Sequence, residues 1–268
     1  MSYFFSYIKV GEYMKNIKYG ILLFIFLLSF YLSDKALLYV ESMSPIMKQI
    51  ESYDGVMESK PVNAIINDNE IIPGRNGKVL NKRESYLKMN DFGKFNETFF
   101  VYDDIKPKIS LYDNLDKIII RGSKEYSVSL IVDNDSSYQY LIDNKIPFTK
   151  IVSNKDEIII NDNITYVNSN YDEKNFVTIN SYLRKKRSNS KICLIGISNL
   201  ELCKKNKYLL VKNSIDIYKN NISDVINIVS GDIIYLHNDL SLSDIKYIIS
   251  SISYNNLIIE ELDLIVNE

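Results

Sequence analysis

The chain has 268 residues, 46% of them hydrophobic and 25% charged, with a formal net charge of −2. This composition is typical of a folded protein with a sizeable core in one or two domains, and the charge gives no electrostatic basis for binding nucleic acid. The single histidine excludes a zinc site built on several imidazoles. The two cysteines, Cys193 and Cys203, are too few for a disulfide scaffold, and we expect Cys193 to be a small buried hydrophobic residue.

The first element is an uncharged apolar run at residues 19–32, YGILLFIFLLSFYL, which follows Lys15 and Lys18. The run is short for a spanning helix, which needs roughly 17 to 25 residues, and its length suits the core of a signal peptide. Because no small-x-small cleavage site follows it, we predict an uncleaved signal anchor, with Met1 or Met14 as the start. The alternative is a buried core helix.

The lysine flank indicates that the basic side is inside, so that the protein is a single-pass membrane protein with its bulk extracytoplasmic. Residues 1–35 are then a cytoplasmic tail and the membrane anchor. Residues 36–60 read as a helical stalk that is interrupted at Pro45.

Residues 61–122 are predicted to form a small β-rich subdomain. The turn cluster PGRNG at residues 73–77 and a short helical pattern at 81–89 separate its strands. The β-type runs are residues 62–66, 70–72, 98–102 and 117–121.

Residues 123–268 alternate strand and helix. The stretch 128–152 reads as strand, helix and strand, which is a βαβ unit and predicts a parallel sheet. Ligands sit at the carboxyl ends of such strands, so Asp133 and Asp135 are the first candidate carboxylates. Further strands are predicted at 157–160, 164–167, 191–196, 208–211, 231–236 and 257–266, the last with a short helical end, and further helices at 173–187, 200–204, 222–229 and 241–253.

This stretch resembles the first motif of the polysaccharide deacetylase (NodB-homology) family of carbohydrate esterases. In that family a strand ends in Thr-Phe-Asp-Asp-Gly, and a helix and a strand follow. Here LIVDND stands at the double Asp and IPFTKIV at the second strand. Near the C-terminus, GDIIYLHNDLSLSD resembles the closing motif Gly-x-Ile-x-Leu-Leu-His, which places His237 at the histidine of the family.

The resemblance implies an α/β fold, a distorted (β/α)7 deacetylase-like barrel at residues 123–268, preceded by the small β-rich subdomain and the N-terminal membrane anchor helix. In the family, a metal held by one Asp and two His activates a water, a second Asp acts as base and a distant His as acid. Carried over, Asp133 matches the base and His237 the acid. Asn134 matches the metal-binding Asp without its charge, and Asp135 is an alternative for it.

The other motifs of the family are missing. Residues 160–175, where the histidine pair belongs, contain no histidine, and SKICLIGI has no counterpart of the family's Arg-x-Pro-Tyr. YLLVKNSIDIY lies where a strand of the family leads to an Asp near a Trp. Asn168 and Ser169 are weak ligands for zinc, so we expect no metal cofactor, with zinc or another divalent metal required only if the chain is active.

The sequence therefore predicts a membrane-anchored, extracytoplasmic, catalytically degenerate deacetylase-like protein that binds cell-envelope polysaccharide or peptidoglycan. Two alternatives stay open. One is an active carbohydrate esterase, an N-deacetylase that uses Asp133, Asp135 and His237 in a non-standard site. The other is a structural partner of the cell envelope that does not bind sugar.

Overall fold

The computed structural model describes residues 2–133, 135–159, 161–186 and 191–268, with side chains from Lys18 onward except that of Ser136. The α-helices are α1 (Ser2–Met43), α2 (Pro45–Glu51), α3 (Lys82–Phe92), α4 (Asp135–Asp143), α5 (Glu173–Lys185), α6 (Leu200–Lys205), α7 (Leu242–Tyr254) and α8 (Leu262–Val266). The strands are β1 (Ile65–Asn67), β2 (Glu70–Ile72), β3 (Gly77–Leu80), β4 (Tyr102–Ile105), β5 (Ile118–Ile119), β6 (Ser127–Val132), β7 (Phe148–Val152), β8 (Ile164–Asn168), β9 (Ile192–Leu194), β10 (Leu209–Val211), β11 (Ile215–Ile217), β12 (Ile233–Leu236) and β13 (Ile258–Ile259).

The chain divides into two compact units, Met1–Glu58 with Lys78–Asp103, and Ser59–Gly77 with Asp104–Glu268. The first unit is built on α1, α2 and α3. The predicted break at Pro45 is confirmed, because α1 ends at Met43 and Pro45 begins α2, where its missing N–H costs nothing. Met47 and Ile50 of α2 pack with Met89 of α3 in a small apolar cluster.

The second unit contains two sheets. One has the order β11-β12-β6-β7-β8 with β13 also beside β6, and all of its pairs are parallel. The other has the order β1-β2-β5-β10-β9, and only the β1–β2 pair is antiparallel. β8 and β9 contact each other, and residues 212–214 alone separate β10 from β11. The seven strands β6 to β12 are thus split at two places, which is the distortion of the barrel.

The inner face of this barrel is one continuous apolar cluster. Side chains of β6, β8, β9, β10 and β12 contribute to it, and α8 adds Leu262, Ile265 and Val266. The opposite side chains of β6, at Val128, Leu130 and Val132, pack outward in a cluster that also holds residues of α4, α5 and α7. All six residues of β6 are buried, as expected for a parallel strand covered on both faces. The predicted α/β fold is confirmed.

The prediction for the cysteines is wrong. Cys193 on β9 and Cys203 on α6 form a disulfide, with Cα atoms 6.1 Å apart, and both are buried. The residue pattern showed correctly that Cys193 is buried. It could not show that the turn after β9 brings α6 back against this strand.

Several local predictions also differ from the structure. Residues 155–157 form a 3-10 helix capped by Asn154, where a strand at 157–160 was expected, and residue 160 lies outside the described residues. The expected helix at 222–229 is a 3-10 helix that begins at Lys219. The expected strand at 257–266 is shorter than predicted and is only β13, whereas its predicted helical end is confirmed as α8, whose apolar residues fill the barrel.

Strands β1, β2 and β5, from the region predicted to be a separate subdomain, pair in one sheet with β10. β3 and β4 form a two-stranded sheet, and the expected strand at 98–102 is displaced to β4. The four-part division of the chain at residues 35, 60 and 122 stays a prediction.

Candidate functional site

Asp133 and His237 each follow the last residue of a strand, and the two strands are neighbours. Val132 of β6 is paired with Leu236 of β12 in parallel register. The backbone N–H of Asp133 donates to the carbonyl of Leu236 at 3.1 Å. The two residues therefore lie side by side at the carboxyl edge of the sheet, where parallel folds place their ligands.

Tyr235 contacts both of these residues. It is 8% exposed, and its hydroxyl donates to Oδ2 of Asp133 at 3.3 Å. Its ring meets the imidazole of His237 edge-on, with centroids 4.2 Å apart. Burial raises the pKa of the Tyr235 phenol, and the charge of Asp133 and their hydrogen bond raise it further. The phenol is therefore neutral at physiological pH and acts as the donor.

His237 is held on its other sides by β11 and the turn after it. Its Nε2 lies 2.9 Å from Oδ1 of Asp216, and its ring stacks on Tyr218 with centroids 3.7 Å apart. Asp216 is itself held, because the Asn213 side chain donates to its Oδ2 at 2.7 Å and the Asn221 side chain donates to its backbone carbonyl at 2.9 Å. The imidazole thus has a fixed orientation.

An open cavity of about 230 Å³ lies beside this histidine. Ile195 and Ile197 line it with apolar surface, and the side chains of Asn213, Asp216 and His237 line it with hydrogen-bonding groups. Asp133 is not among the residues that line it. The lining residues are Ile195, Gly196, Ile197, Asn213, Asp216, Tyr235 and His237.

Of the two remaining predicted site residues, the structure describes only Asp135. Asp135 is the first residue of α4 and is exposed. Asn134 lies outside the described residues. The roles of Asp133, Asn134, Asp135 and His237 stay predictions.

The residues at this edge do not fit a catalytic zinc ion. The side chain of Asn168 is buried and occupied, since its amide donates to the carbonyl of Phe176 and its oxygen accepts from the N–H of Asn170. The inward neighbours of Asp133 on the next strands are apolar, at Ile151 and Val167. In the described parts of the chain, no group of three or more His, Cys, Asp or Glu side chains could hold a metal ion.

Sequence reasoning did not name Tyr235, Tyr218 or Asn213. Asp216 lies in the stretch SIDIY, where the resemblance implies an Asp, so a signal for it was present. Strand β11, which carries Asp216, was not predicted.

No protein-family model matches the chain. An uncharacterized protein of Bacillus subtilis, YlxY, is 31% identical over 127 residues, and the match covers 42% of this chain. The chain spans 40% of the length of this curated relative.

Solved structures match over more of the chain. The wild-type form of a pseudoenzyme of carbohydrate esterase family 4 from Bacillus anthracis has a TM-score of 0.56 and 14% identity, covering 84% of this chain and 96% of that one. A mutant of the same pseudoenzyme, described as having restored enzymatic activity, has a TM-score of 0.55 and 16% identity, covering 84% of this chain and 99% of that one. The chain therefore has the fold of this carbohydrate esterase family 4 pseudoenzyme.

Proposed function

We propose that this chain is a membrane-anchored, extracytoplasmic deacetylase-like protein that binds cell-envelope glycan without hydrolysing it. The single observation that carries the proposal is which side chains surround Asp133 and His237. These two residues lie side by side at the carboxyl edge of the sheet, and Tyr235 contacts both. The other described side chains around them do not form a set of ligands that could hold a metal ion. Without a Lewis acid, hydrolysis of an amide loses several kcal/mol of transition-state stabilisation.

Two features support an extracytoplasmic location. The segment Lys18–Met43 of α1 contains an 18-residue window with a mean hydropathy of 2.0 and is long and apolar enough to cross a membrane. The disulfide between Cys193 and Cys203 is independent support, since such bonds persist in oxidising compartments and are rare in the cytosol.

The similarity to a pseudoenzyme also supports the proposal, because that protein has this fold and is described as a pseudoenzyme in its wild-type form. The open cavity beside His237 is lined by apolar side chains and by hydrogen-bonding side chains. This combination suits a sugar, whose ring faces are apolar and whose edge carries hydroxyl or amide groups.

The test is to incubate the purified full-length protein with insoluble peptidoglycan and with chitin, and to measure retention and acetate release. We expect retention without acetate. Acetate release by a metal-loaded sample would select the active esterase that uses Asp133, Asp135 and His237. A lack of both retention and release would select the structural partner that does not bind sugar.

A further inference from the structure

Tyr235 contacts both of the residues that the resemblance gives as base and acid. Its hydroxyl donates to Asp133, and its ring and that of His237 meet in a T-shaped arrangement. In the closing motif of the family a leucine stands at this position, so the hydroxyl is a feature of this chain.

Asp133 and His237 differ in their relation to the cavity. Asp133 is exposed and is not among the lining residues, whereas Tyr235 and His237 line the cavity together with Asp216 and Asn213.

We propose that Tyr235 is a positioning residue that divides the site. It holds Asp133 outside the cavity and fixes His237 within it, so that a bound sugar contacts His237, Asp216 and Asn213 but not Asp133. The identity of the ligand, a neutral sugar that bears hydroxyl or acetamide groups, rests on the proposed function. The division itself does not.

Both Tyr235 and His237 are held firmly. The Tyr235 ring packs in the inner apolar cluster of the barrel. The His237 imidazole is stacked on Tyr218 and hydrogen-bonded to Asp216, so His237 has little room to move away from Tyr235. Tyr235 therefore links Asp133 to the imidazole, through its hydroxyl on one residue and its ring on the other.

The positioning role of Tyr235 is tested without any ligand by NMR of the imidazole, which gives a single set of resonances because the chain has one histidine. We expect Asp133→Asn to shift the His237 resonances clearly in the otherwise unchanged protein and by less than about half as much in the Tyr235→Phe background, which keeps the ring but lacks the hydroxyl. Asp135→Asn is the matched control, since it removes the same charge two residues away. Equal shifts from Asp133→Asn in both backgrounds, or a shift no larger than that of Asp135→Asn, would overturn the proposal.

The second measurement is the affinity of the full-length protein for a soluble tetramer of N-acetylglucosamine. We expect Asp216→Ala to weaken binding about tenfold, as for the loss of a hydrogen bond to a charged group, and Asp133→Ala to change it less than about twofold. If Asp133→Ala weakens binding as much as Asp216→Ala, Tyr235 does not divide the site. If the unchanged protein binds no tetramer, the glycan proposal fails, and the imidazole resonances alone decide the role of Tyr235.

Discussion

Asp263 shows, at the scale of a single residue, how burial changes the chemistry of a carboxyl group. It lies on α8 and lines a cavity of about 380 Å³ together with Lys191 and Lys207. In the described structure, its Oδ1 is buried and has no hydrogen-bond partner. Burial, and to a lesser extent the charge of Glu261, raises the pKa of Asp263 from 3.8 to about 7.

This shift predicts that stability depends on pH. Between the unfolded value of 3.8 and the folded value of about 7, the folded state keeps a proton that the unfolded state has lost. The free energy of unfolding therefore falls as the pH rises through this window, by up to about 4 kcal/mol, and is level above it. We expect Asp263→Asn to remove this fall, measured by denaturant unfolding at pH 5, 6, 7 and 8. Glu261→Gln, as the control, should reduce the fall only in part, and an unchanged fall in Asp263→Asn would contradict the assignment.

The candidate site also gives a residue-scale prediction about metal. Since the side chains near Asp133 do not form a set of zinc ligands, the purified protein should carry no stoichiometric zinc after dialysis against buffer without chelator. Metal analysis by mass spectrometry checks this. One zinc per chain, lost in an Asp133→Ala variant, would show that ligands at this edge hold a metal and would favour the active esterase.

At the scale of elements, the disulfide joins β9 to α6. Cys193 and Cys203 are ten residues apart in the sequence and pack with Leu202, Tyr208 and Phe176 in a small apolar cluster. A bond across such a short loop restricts the unfolded chain as well as fixing the helix to the strand.

We expect the double variant Cys193→Ala with Cys203→Ala to lose about 2 to 4 kcal/mol of unfolding free energy, mainly from the freed unfolded chain. Denaturant unfolding with and without dithiothreitol measures the loss. The reductant should destabilise the unchanged protein by a similar amount and should have no effect on the variant. Two reactive thiols per chain in the unreduced, denatured protein would contradict the bond.

At the scale of the whole molecule, helix α1 is long and apolar enough to cross a membrane. The large apolar side chains from Tyr19 to Leu32 are exposed. None of the apolar 18-residue window within Lys18–Met43 is buried. Such a continuous exposed apolar surface is unfavourable in water and favourable in lipid.

We therefore expect the full-length chain to fractionate with membranes and its residues beyond 60 to be cleaved when intact cells are treated with protease. A matched variant with Leu23→Lys and Phe26→Lys should move to the soluble fraction, because a charge at the centre of a spanning helix costs about 3 kcal/mol. A full-length protein that stays soluble and is protected inside the cell would exclude the anchor.

The sequence by itself determined the elements with long, regular patterns. The buried run at 128–132, the amphipathic helix at 241–253 and the apolar stretch at 19–32 all occur in the structure as β6, α7 and part of α1. Strand and helix alternation was enough to indicate the parallel α/β fold, and Asp133 and His237 could be placed at strand ends from the same pattern.

Tertiary structure alone decided which residues meet. The contacts of Tyr235 with Asp133 and of His237 with Asp216 join residues 102 and 21 positions apart, and the pairing of β5 with β10 joins regions that the sequence assigned to separate domains. The disulfide likewise depends on the turn after β9, which brings Cys203 of α6 next to Cys193. Periodicity reports the environment of each residue along one element, whereas these contacts depend on how elements are packed, and local patterns carry no information about that packing.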